Sequence, residues 1–250
     1  MALVTGPTPP ARVLLTEVDT AVVAHRFTAL RDVLAAAAKT AGRDAPPEVL
    51  VASKYFDPVA IPALVAAGVT LLGENRADVI EAKQVAAAGT PASADLRWDY
   101  IGELQSRKAA SIAPLVSRIH TLASESAVRK LVTHAESGAA VPTLLVQVNV
   151  AGEAAKGGVD PDGLPALLEA AASLSVDGLM TMPPLAGDPA ESGRWFAALR
   201  ELAAAHGLAQ LSMGTSQDAV VAAEQGATVV RIGGLLTSDD QWERFERSHG

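Results

Sequence analysis

Lys54 is the residue of this chain with the clearest chemical potential. It follows the apolar run Val49–Ser53, so its amine comes directly after a segment with the composition of a buried strand. An amine at the edge of a core loses hydration, which favours the uncharged, nucleophilic form that condenses with aldehydes. A solvated or salt-bridged lysine is the plainer alternative, since lysine is seldom buried. Lys54 is therefore a candidate for a Schiff base with an aldehyde cofactor.

Two later segments have the composition of phosphate-binding turns. Met213–Ser216 contains a glycine and two hydroxyl residues ahead of a stretch predicted to be helical, and backbone amides at a helix start bind phosphate. Arg231 is followed closely by Gly233 and Gly234, which allow the backbone to approach an anion. Each segment has a structural alternative, because Ser and Thr cap ordinary helices and Arg231 could pair with a carboxylate such as Glu74.

The other polar residues indicate neither a metal site nor a catalytic motif. Glu74, Asn75 and Gln105 follow apolar runs and add carboxylate and amide groups. The five histidines lack the paired spacing typical of metal ligands, and only His120, at a predicted strand end, is of interest. No Ser, His and Asp set with the character of a triad is apparent. We therefore predict no metal ligand and no catalytic residue.

Eight short apolar segments alternate with Ala/Leu-rich helical stretches. The predicted strands are Val49–Ser53, Val69–Gly73, Asp99–Leu104, Arg118–Leu122, Thr143–Val150, Val176–Met182, Ala209–Gly214 and Thr228–Gly233. Strict alternation predicts right-handed parallel crossovers, and eight such units close an α/β barrel of the (β/α)8 TIM type. An open doubly wound sheet is the alternative. In the barrel, residues that follow the strands meet at one mouth, and phosphate often binds after strands seven and eight.

The chain is expected to form a single domain. No linker-like stretch divides it, so residues 13–250 are assigned to the barrel domain and residues 1–12, with three prolines, to a disordered N-terminus. Apolar residues at helical spacing predict an extra N-terminal helix from Val13 to Ala41, with Thr16 or Asp19 as its cap.

Composition excludes several classes of function. The net charge of −8 and the lack of a basic run disfavour a nucleic-acid partner. With no cysteine, the chain has no disulfide, thiolate metal site or cysteine nucleophile. No apolar stretch is long enough to cross a bilayer and the first residues lack a secretory pattern, so a cytoplasmic protein without membrane contact is expected.

Seven segments, in this order, resemble the pyridoxal 5′-phosphate (PLP) homeostasis protein family, whose fold is similar to the barrel domain of bacterial alanine racemase. They are Val51–Lys54, Leu72–Asn75, Ile101–Lys108, Gln147–Val150, Gly178–Thr181, Leu211–Gly214 and Val230–Gly233. The resemblance extends from about Val49 to Gly234, and the segments are far more specific together than singly.

The resemblance implies PLP as cofactor and a set of residues that bind it. These residues are Lys54, Asn75, Ser216, Arg231, Gly233 and Gly234. By resemblance, Lys54 carries the PLP aldimine, Asn75 lies beside the cofactor, and Ser216 binds the phosphate with the amides of the two glycines. Arg231 would face the pyridine nitrogen, and an always-charged donor keeps that nitrogen unprotonated and weakens the electron sink.

Three places depart from the family pattern. A His is usual at Asp99, a Thr at Gly234, and a Thr-Lys pair at Tyr55–Phe56. The change at Gly234 removes a hydroxyl from the expected phosphate site.

The implied function is intracellular PLP homeostasis, in which the protein buffers, carries or delivers the cofactor. PLP-dependent apoenzymes would be its partners, and a monomer or weak homodimer its assembly. The alternative is a PLP-dependent amino-acid racemase, which needs acid–base groups on both faces of the cofactor, whereas Lys54 serves one face. Tyr55 is expected to point away from Lys54 if the strand continues, and Tyr100 lies within the third strand. A barrel acting on sugar phosphates or indoles would use the same phosphate corner.

Overall fold

The computed structural model describes residues 14–153, 156–184 and 186–249, which form a closed barrel of parallel strands in chain order. The strands are β1 (Glu48–Ala52), β2 (Leu71–Glu74), β3 (Arg97–Tyr100), β4 (Arg118–Leu122), β5 (Thr143–Gln147), β6 (Val176–Met180), β7 (Gln210–Thr215) and β8 (Val229–Ile232). The α-helices of the described residues are α1 (Thr20–Thr40), α2 (Ile61–Ala66), α3 (Ala77–Ala87), α4 (Ala109–Ile112), α5 (Glu125–Glu136), α6 (Leu164–Ala170), α7 (Gly193–Ala205), α8 (Ala219–Glu224) and α9 (Asp239–His249). The predicted (β/α)8 barrel is confirmed, and the segment 1–12 lies outside the described residues.

The barrel interior contains a small apolar cluster below a polar layer. Leu50, Leu71 and Val229 form the cluster, while a much larger apolar layer packs the strands against the surrounding helices. Gly73 makes room for this cluster, because a Cβ there would lie 2.2 Å from Cδ2 of Leu50. Strands buried on both faces explain the nearly continuous apolar runs of the sequence.

The N-terminal helix is shorter than predicted. Helix α1 begins at Thr20, and the Asp19 carboxylate caps it by accepting hydrogen bonds from the amides of Ala21 (2.9 Å) and Val22 (3.1 Å). Residues 14–19 are not helical, and Leu15 forms a parallel bridge with Phe56. The prediction of a helix from Val13 was therefore wrong, because an Asx-type cap starts the helix where its side chain satisfies free amides.

Several strands end earlier than their apolar runs. Strand β3 ends at Tyr100 rather than Leu104, and Gly102 lies so close to Asn75 that a Cβ would be 2.3 Å from the Asn75 carbonyl oxygen. The chain crosses over the end of β2 at this point instead of continuing the sheet. Strand β5 likewise ends at Gln147, after which Val148 pairs with Val159 of the following loop.

Within the described ranges, no helix is long and apolar enough to cross a membrane.

Candidate functional site

Lys54 lies where β1 opens into the mouth of the barrel. The strand ends at Ala52 and the chain turns into a 3-10 helix, Ser53–Tyr55, so the lysine leaves the sheet half-buried. Its Nζ lies 5.3 Å from the centre of the Tyr55 ring. It forms no ion pair with any carboxylate of the described residues, so the salt-bridge alternative does not hold.

A buried ion pair supports this turn from below. Lys83 Nζ donates a 2.7 Å hydrogen bond to the carbonyl oxygen of Ser53 and pairs with the Glu74 carboxylate. Ser53 Oγ donates to Glu74 Oε2 at 2.8 Å, and both ionic side chains are almost wholly buried. Glu74 thus pairs with Lys83 and not with Arg231, the alternative considered from sequence. The sequence analysis did not identify Lys83, which lies inside α3 without any motif.

Asn75 and Tyr100 lie at the same mouth. The amide nitrogen of Asn75 donates to Glu74 Oε1 at 2.7 Å, while its side chain is exposed. The Tyr100 hydroxyl lies 3.4 Å from the Asn75 carbonyl oxygen and 3.3 Å from that of Glu103. Burial, reinforced by Glu103, raises the pKa of Tyr100, so its hydroxyl stays protonated at neutral pH.

The turns after β7 and β8 meet at a second corner of the mouth. The Gly233 amide donates a 3.0 Å hydrogen bond to Ser216 Oγ, which joins the two predicted phosphate segments. The Tyr55 ring packs on this corner, because a Cβ at Gly233 would lie 2.9 Å from Tyr55 Cε2. The strand does not continue beyond Ala52, so the condition under which Tyr55 would point away from Lys54 is not met.

Gly214 is required by packing and by backbone conformation. Its φ is +88°, and a Cβ would lie 2.5 Å from that of Ala222 in α8. The turn is closed by Asp218, whose Oδ1 accepts from the amide (2.7 Å) and hydroxyl (3.0 Å) of Thr215. Because α8 has only six residues, the corner consists of the Gly233 amide and the Ser216 hydroxyl rather than a long helix terminus.

Arg231 is a buried cation held by neutral oxygen atoms. Its Nη1 donates to Ser212 Oγ at 2.7 Å and its Nη2 to the Thr181 carbonyl oxygen at 2.8 Å. Among the described residues it makes no direct ion pair. Burial lowers the pKa of Arg231 to about 10, an effect that the nearby Asp218 opposes, so the guanidinium is charged at neutral pH.

Arg231 also lines a cavity of about 220 Å³ at this mouth. The end of β7 and the loops after β5, β6 and β7 complete the lining: Lys156, Met182, Pro183, Pro184, Gly214, Thr215 and Asp218. Lys156, which the sequence analysis did not identify, donates to the Pro183 carbonyl oxygen at 2.7 Å and pairs with Glu153 at 3.4 Å. A buried guanidinium beside a cavity favours a ligand that brings an acceptor atom or negative charge.

The barrel interior contains a Ser–His–Asp arrangement that the sequence analysis did not find. His120 Nδ1 lies 2.8 Å from Ser212 Oγ, and His120 Nε2 lies 3.0 Å from Asp99 Oδ2. All three side chains are fully buried, and Ser212 Oγ already accepts a hydrogen bond from Arg231. Since no substrate carbonyl can reach that oxygen, the arrangement does not have the geometry of a hydrolase site. Ser212 is 92 residues from His120, a separation at which no local motif exists.

The described residues contain no group of three or more His, Asp or Glu side chains that could hold a metal ion.

The structure brings to one end of the barrel five of the residues predicted to bind the cofactor: Lys54, Asn75, Ser216, Gly233 and Arg231. Gly234 starts the adjoining 3-10 helix, Gly234–Leu236.

This barrel and its site define a class of protein. Residues 56–241 match the family described as "Alanine racemase, N-terminal domain". The alanine racemase of Corynebacterium glutamicum has the same barrel with a TM-score of 0.62, at 15% identity over 88% of this chain and 60% of that chain. At this identity the likeness shows the fold alone.

Curated relatives narrow the class. The pyridoxal phosphate homeostasis protein of Aquifex aeolicus is 36% identical over 204 residues, which cover 78% of this chain and 88% of that protein. The protein of the same name from Pseudomonas aeruginosa is 38% identical over 206 residues, or 80% and 88% of the two chains. The chain therefore belongs to the pyridoxal phosphate homeostasis protein family, as its sequence segments predicted.

A solved member gives the structural comparison. PipY of Synechococcus elongatus, in a structure with PLP bound, has a TM-score of 0.73 at 31% identity, covering 86% of this chain and 100% of PipY. The structure of PipY without PLP gives a TM-score of 0.75 at 32% identity over the same shares.

Proposed function

We propose that this protein binds PLP at the barrel mouth and serves PLP homeostasis in the cytoplasm, buffering, carrying or delivering the cofactor to PLP-dependent apoenzymes. The proposal rests on one observation: the buried cation Arg231 is held only by neutral oxygen atoms and lies beside a cavity. PLP brings an acceptor nitrogen, a phosphate and an aldehyde that condenses with a lysine amine and releases one water. The names of the relatives and the PLP-bound PipY structure support the same cofactor.

The proposed roles follow from position in the barrel. Lys54 supplies the amine, because it is half-buried, lacks a carboxylate partner and emerges from β1, the strand that pairs with β8. Ser216 and the amides of Gly233 and Gly234 receive the phosphate, and the hydrogen bond from the Gly233 amide to Ser216 Oγ keeps the two turns together until the phosphate accepts from that amide in place of Ser216. Asn75 follows β2, the other strand that pairs with β1, and lies next to the turn that carries Lys54.

The charge of Arg231 argues for holding the cofactor rather than for catalysis. A guanidinium facing the pyridine nitrogen leaves that nitrogen unprotonated, and a neutral ring withdraws electrons more weakly than a pyridinium paired with an acid. Racemisation also needs a second acid–base group. Tyr100 is a poor candidate, because burial raises the pKa of its hydroxyl, which faces carbonyl oxygens.

Borohydride reduction followed by peptide mapping tests the proposal. Reduction of PLP-loaded protein should leave the cofactor's mass on the peptide containing Lys54, and Lys54→Ala should lose both this adduct and the absorbance band of the lysine-bound cofactor. Lys130→Ala, which removes an exposed lysine of α5, is the matched control and should behave as wild type. A band and adduct retained at full occupancy in Lys54→Ala would refute the assignment. A spectrum without the band in wild type would favour a barrel that binds other phosphorylated ligands.

A further inference from the structure

Four buried polar side chains form one continuous chain across the barrel interior. Arg231 Nη1 is 2.7 Å from Ser212 Oγ, Ser212 Oγ is 2.8 Å from His120 Nδ1, and His120 Nε2 is 3.0 Å from Asp99 Oδ2. The residues come from β8, β7, β4 and β3, so the chain joins strands on opposite sides of the barrel. Ser212, His120 and Asp99 are 0% exposed, which excludes competition by bulk water.

Arg231 and Asp99, at the two ends of the chain of side chains, fix the position of each hydrogen between them. Arg231 can only donate, so Ser212 Oγ must accept from it. At the other end, Asp99 Oδ2 also accepts from Arg118 Nε at 3.0 Å, as an ionised carboxylate does. Burial lowers the pKa of His120 and favours its neutral ring, which therefore carries its hydrogen on Nε2 and accepts the hydroxyl hydrogen of Ser212 at Nδ1. One arrangement satisfies all three bonds, running from Arg231 to Asp99.

Further ion pairs hold Asp99, the anionic end of this chain of side chains. Arg118 Nη2 donates to Glu48 Oε2 at 2.8 Å, and Arg97 pairs with the other oxygen of the same carboxylate. Asp99 thus belongs to a charged network at the base of β1, β3 and β4, which restrains its carboxylate against rotation. The far end of the chain is the guanidinium that lines the cavity.

We propose that Ser212, His120 and Asp99 are positioning residues that fix the Arg231 guanidinium toward the ring nitrogen of the bound cofactor. The proposal rests on the PLP-binding function proposed above. Two hydrogen bonds, to Ser212 and Thr181, set the plane of the guanidinium, and Arg231 lines the cavity at the barrel mouth. Preorganised donors bind an acceptor better than mobile ones, because their ordering is completed during folding.

A comparison of two ligands separates positioning from general support of the fold. The ligands are PLP and its 1-deaza analogue, in which a C–H group replaces the ring nitrogen and cannot accept from Arg231. Ser212→Ala should weaken PLP binding about tenfold, the effect of one hydrogen bond to a charged group, and change binding of the analogue less than about twofold. Asp99→Asn should act in the same direction. Thr228→Val, which removes a buried hydroxyl immediately before β8, is the control and should not alter the ratio of the two dissociation constants.

An equal loss for both ligands in Ser212→Ala would overturn the proposal and give Ser212 a purely structural role. Failure of wild type to bind PLP would instead overturn the proposed function, so the two failures are distinguishable. A measurement on the wild-type protein keeps the proposal testable if Ser212→Ala or Asp99→Asn does not fold. Nitrogen-15 NMR of the histidine rings, with His120 assigned by its loss in His120→Gln, should show the hydrogen on Nε2. A hydrogen on Nδ1 would contradict the ordered chain.

Discussion

Lys83 Nζ donates a 2.7 Å hydrogen bond to the carbonyl oxygen of Ser53, the residue that precedes Lys54. The ammonium also pairs with Glu74, and that carboxylate accepts the Asn75 amide. One buried ion pair therefore joins the turn that presents Lys54 to the end of β2 that presents Asn75.

Lys83→Met should destabilise the protein strongly. The change leaves the Glu74 carboxylate buried without its cation, a loss that typically costs about 3–5 kcal/mol. Urea denaturation monitored by circular dichroism gives the free energy of unfolding. Lys130→Met, at an exposed position of α5, is the matched control and should unfold like wild type. A loss below about 1 kcal/mol in Lys83→Met would mean that the pair does not govern stability.

Arg231→Glu should change the cofactor's electronic state as well as its affinity. The glutamate would favour a protonated pyridine nitrogen and remove the donor, so the absorbance spectrum should shift and binding should weaken roughly tenfold or more. Titration of PLP into apoprotein, followed by absorbance, measures both effects. Arg200→Glu changes an exposed arginine of α7 and serves as the charge-matched control. An unchanged spectrum with unchanged affinity would place the ring nitrogen away from Arg231.

Stability should fall as the pH drops below about 6.5, in part because of His120. Burial lowers the pKa of this ring below its ordinary value of 6.5, although the hydrogen bond to Asp99 opposes the shift. The unfolded chain therefore binds a proton that the native chain does not, so stability rises with pH between the native pKa and 6.5. Chemical denaturation between pH 7 and pH 5 should show a flatter dependence for His120→Gln than for wild type. His25→Gln, an exposed substitution, should keep the wild-type slope, and a wild-type slope in His120→Gln would contradict the assignment.

PLP-loaded protein should racemise neither alanine nor serine at an enzymatic rate. Lys54 is one acid–base group, Arg231 withholds the ring proton, and a missing second group typically costs about 10²–10⁴-fold in rate. Chiral chromatography of the incubated amino acids measures turnover, and exchange of the α-hydrogen in deuterated water gives an independent reading. Turnover near 1 per second or faster, abolished in Lys54→Ala, would make the protein a racemase.

The sequence by itself determined the alternation of elements, and with it the closed barrel. The periodicity and composition of a segment are local properties, so the predicted bounds of some strands, such as Arg118–Leu122, agree with the structure residue by residue. Other boundaries depended on remote neighbours, as β3 shows by ending where Gly102 crosses Asn75. The residues expected at the mouth, Lys54, Ser216 and Arg231, were recognised because parallel strands bring their ends to one edge.

Only the tertiary structure decided which partners these residues have. Glu74 could equally have paired with Arg231, and it pairs with Lys83 because α3 packs behind β2. Tyr55 lies over Gly233 because the chain turns into a 3-10 helix, Ser53–Tyr55, where β1 ends. His120 and Ser212 are 92 residues apart and meet only because closure of the barrel places inward-facing residues of β4 and β7 across one interior. Contacts between distant strands depend on register and closure, and these are properties of the whole sheet that no local pattern carries.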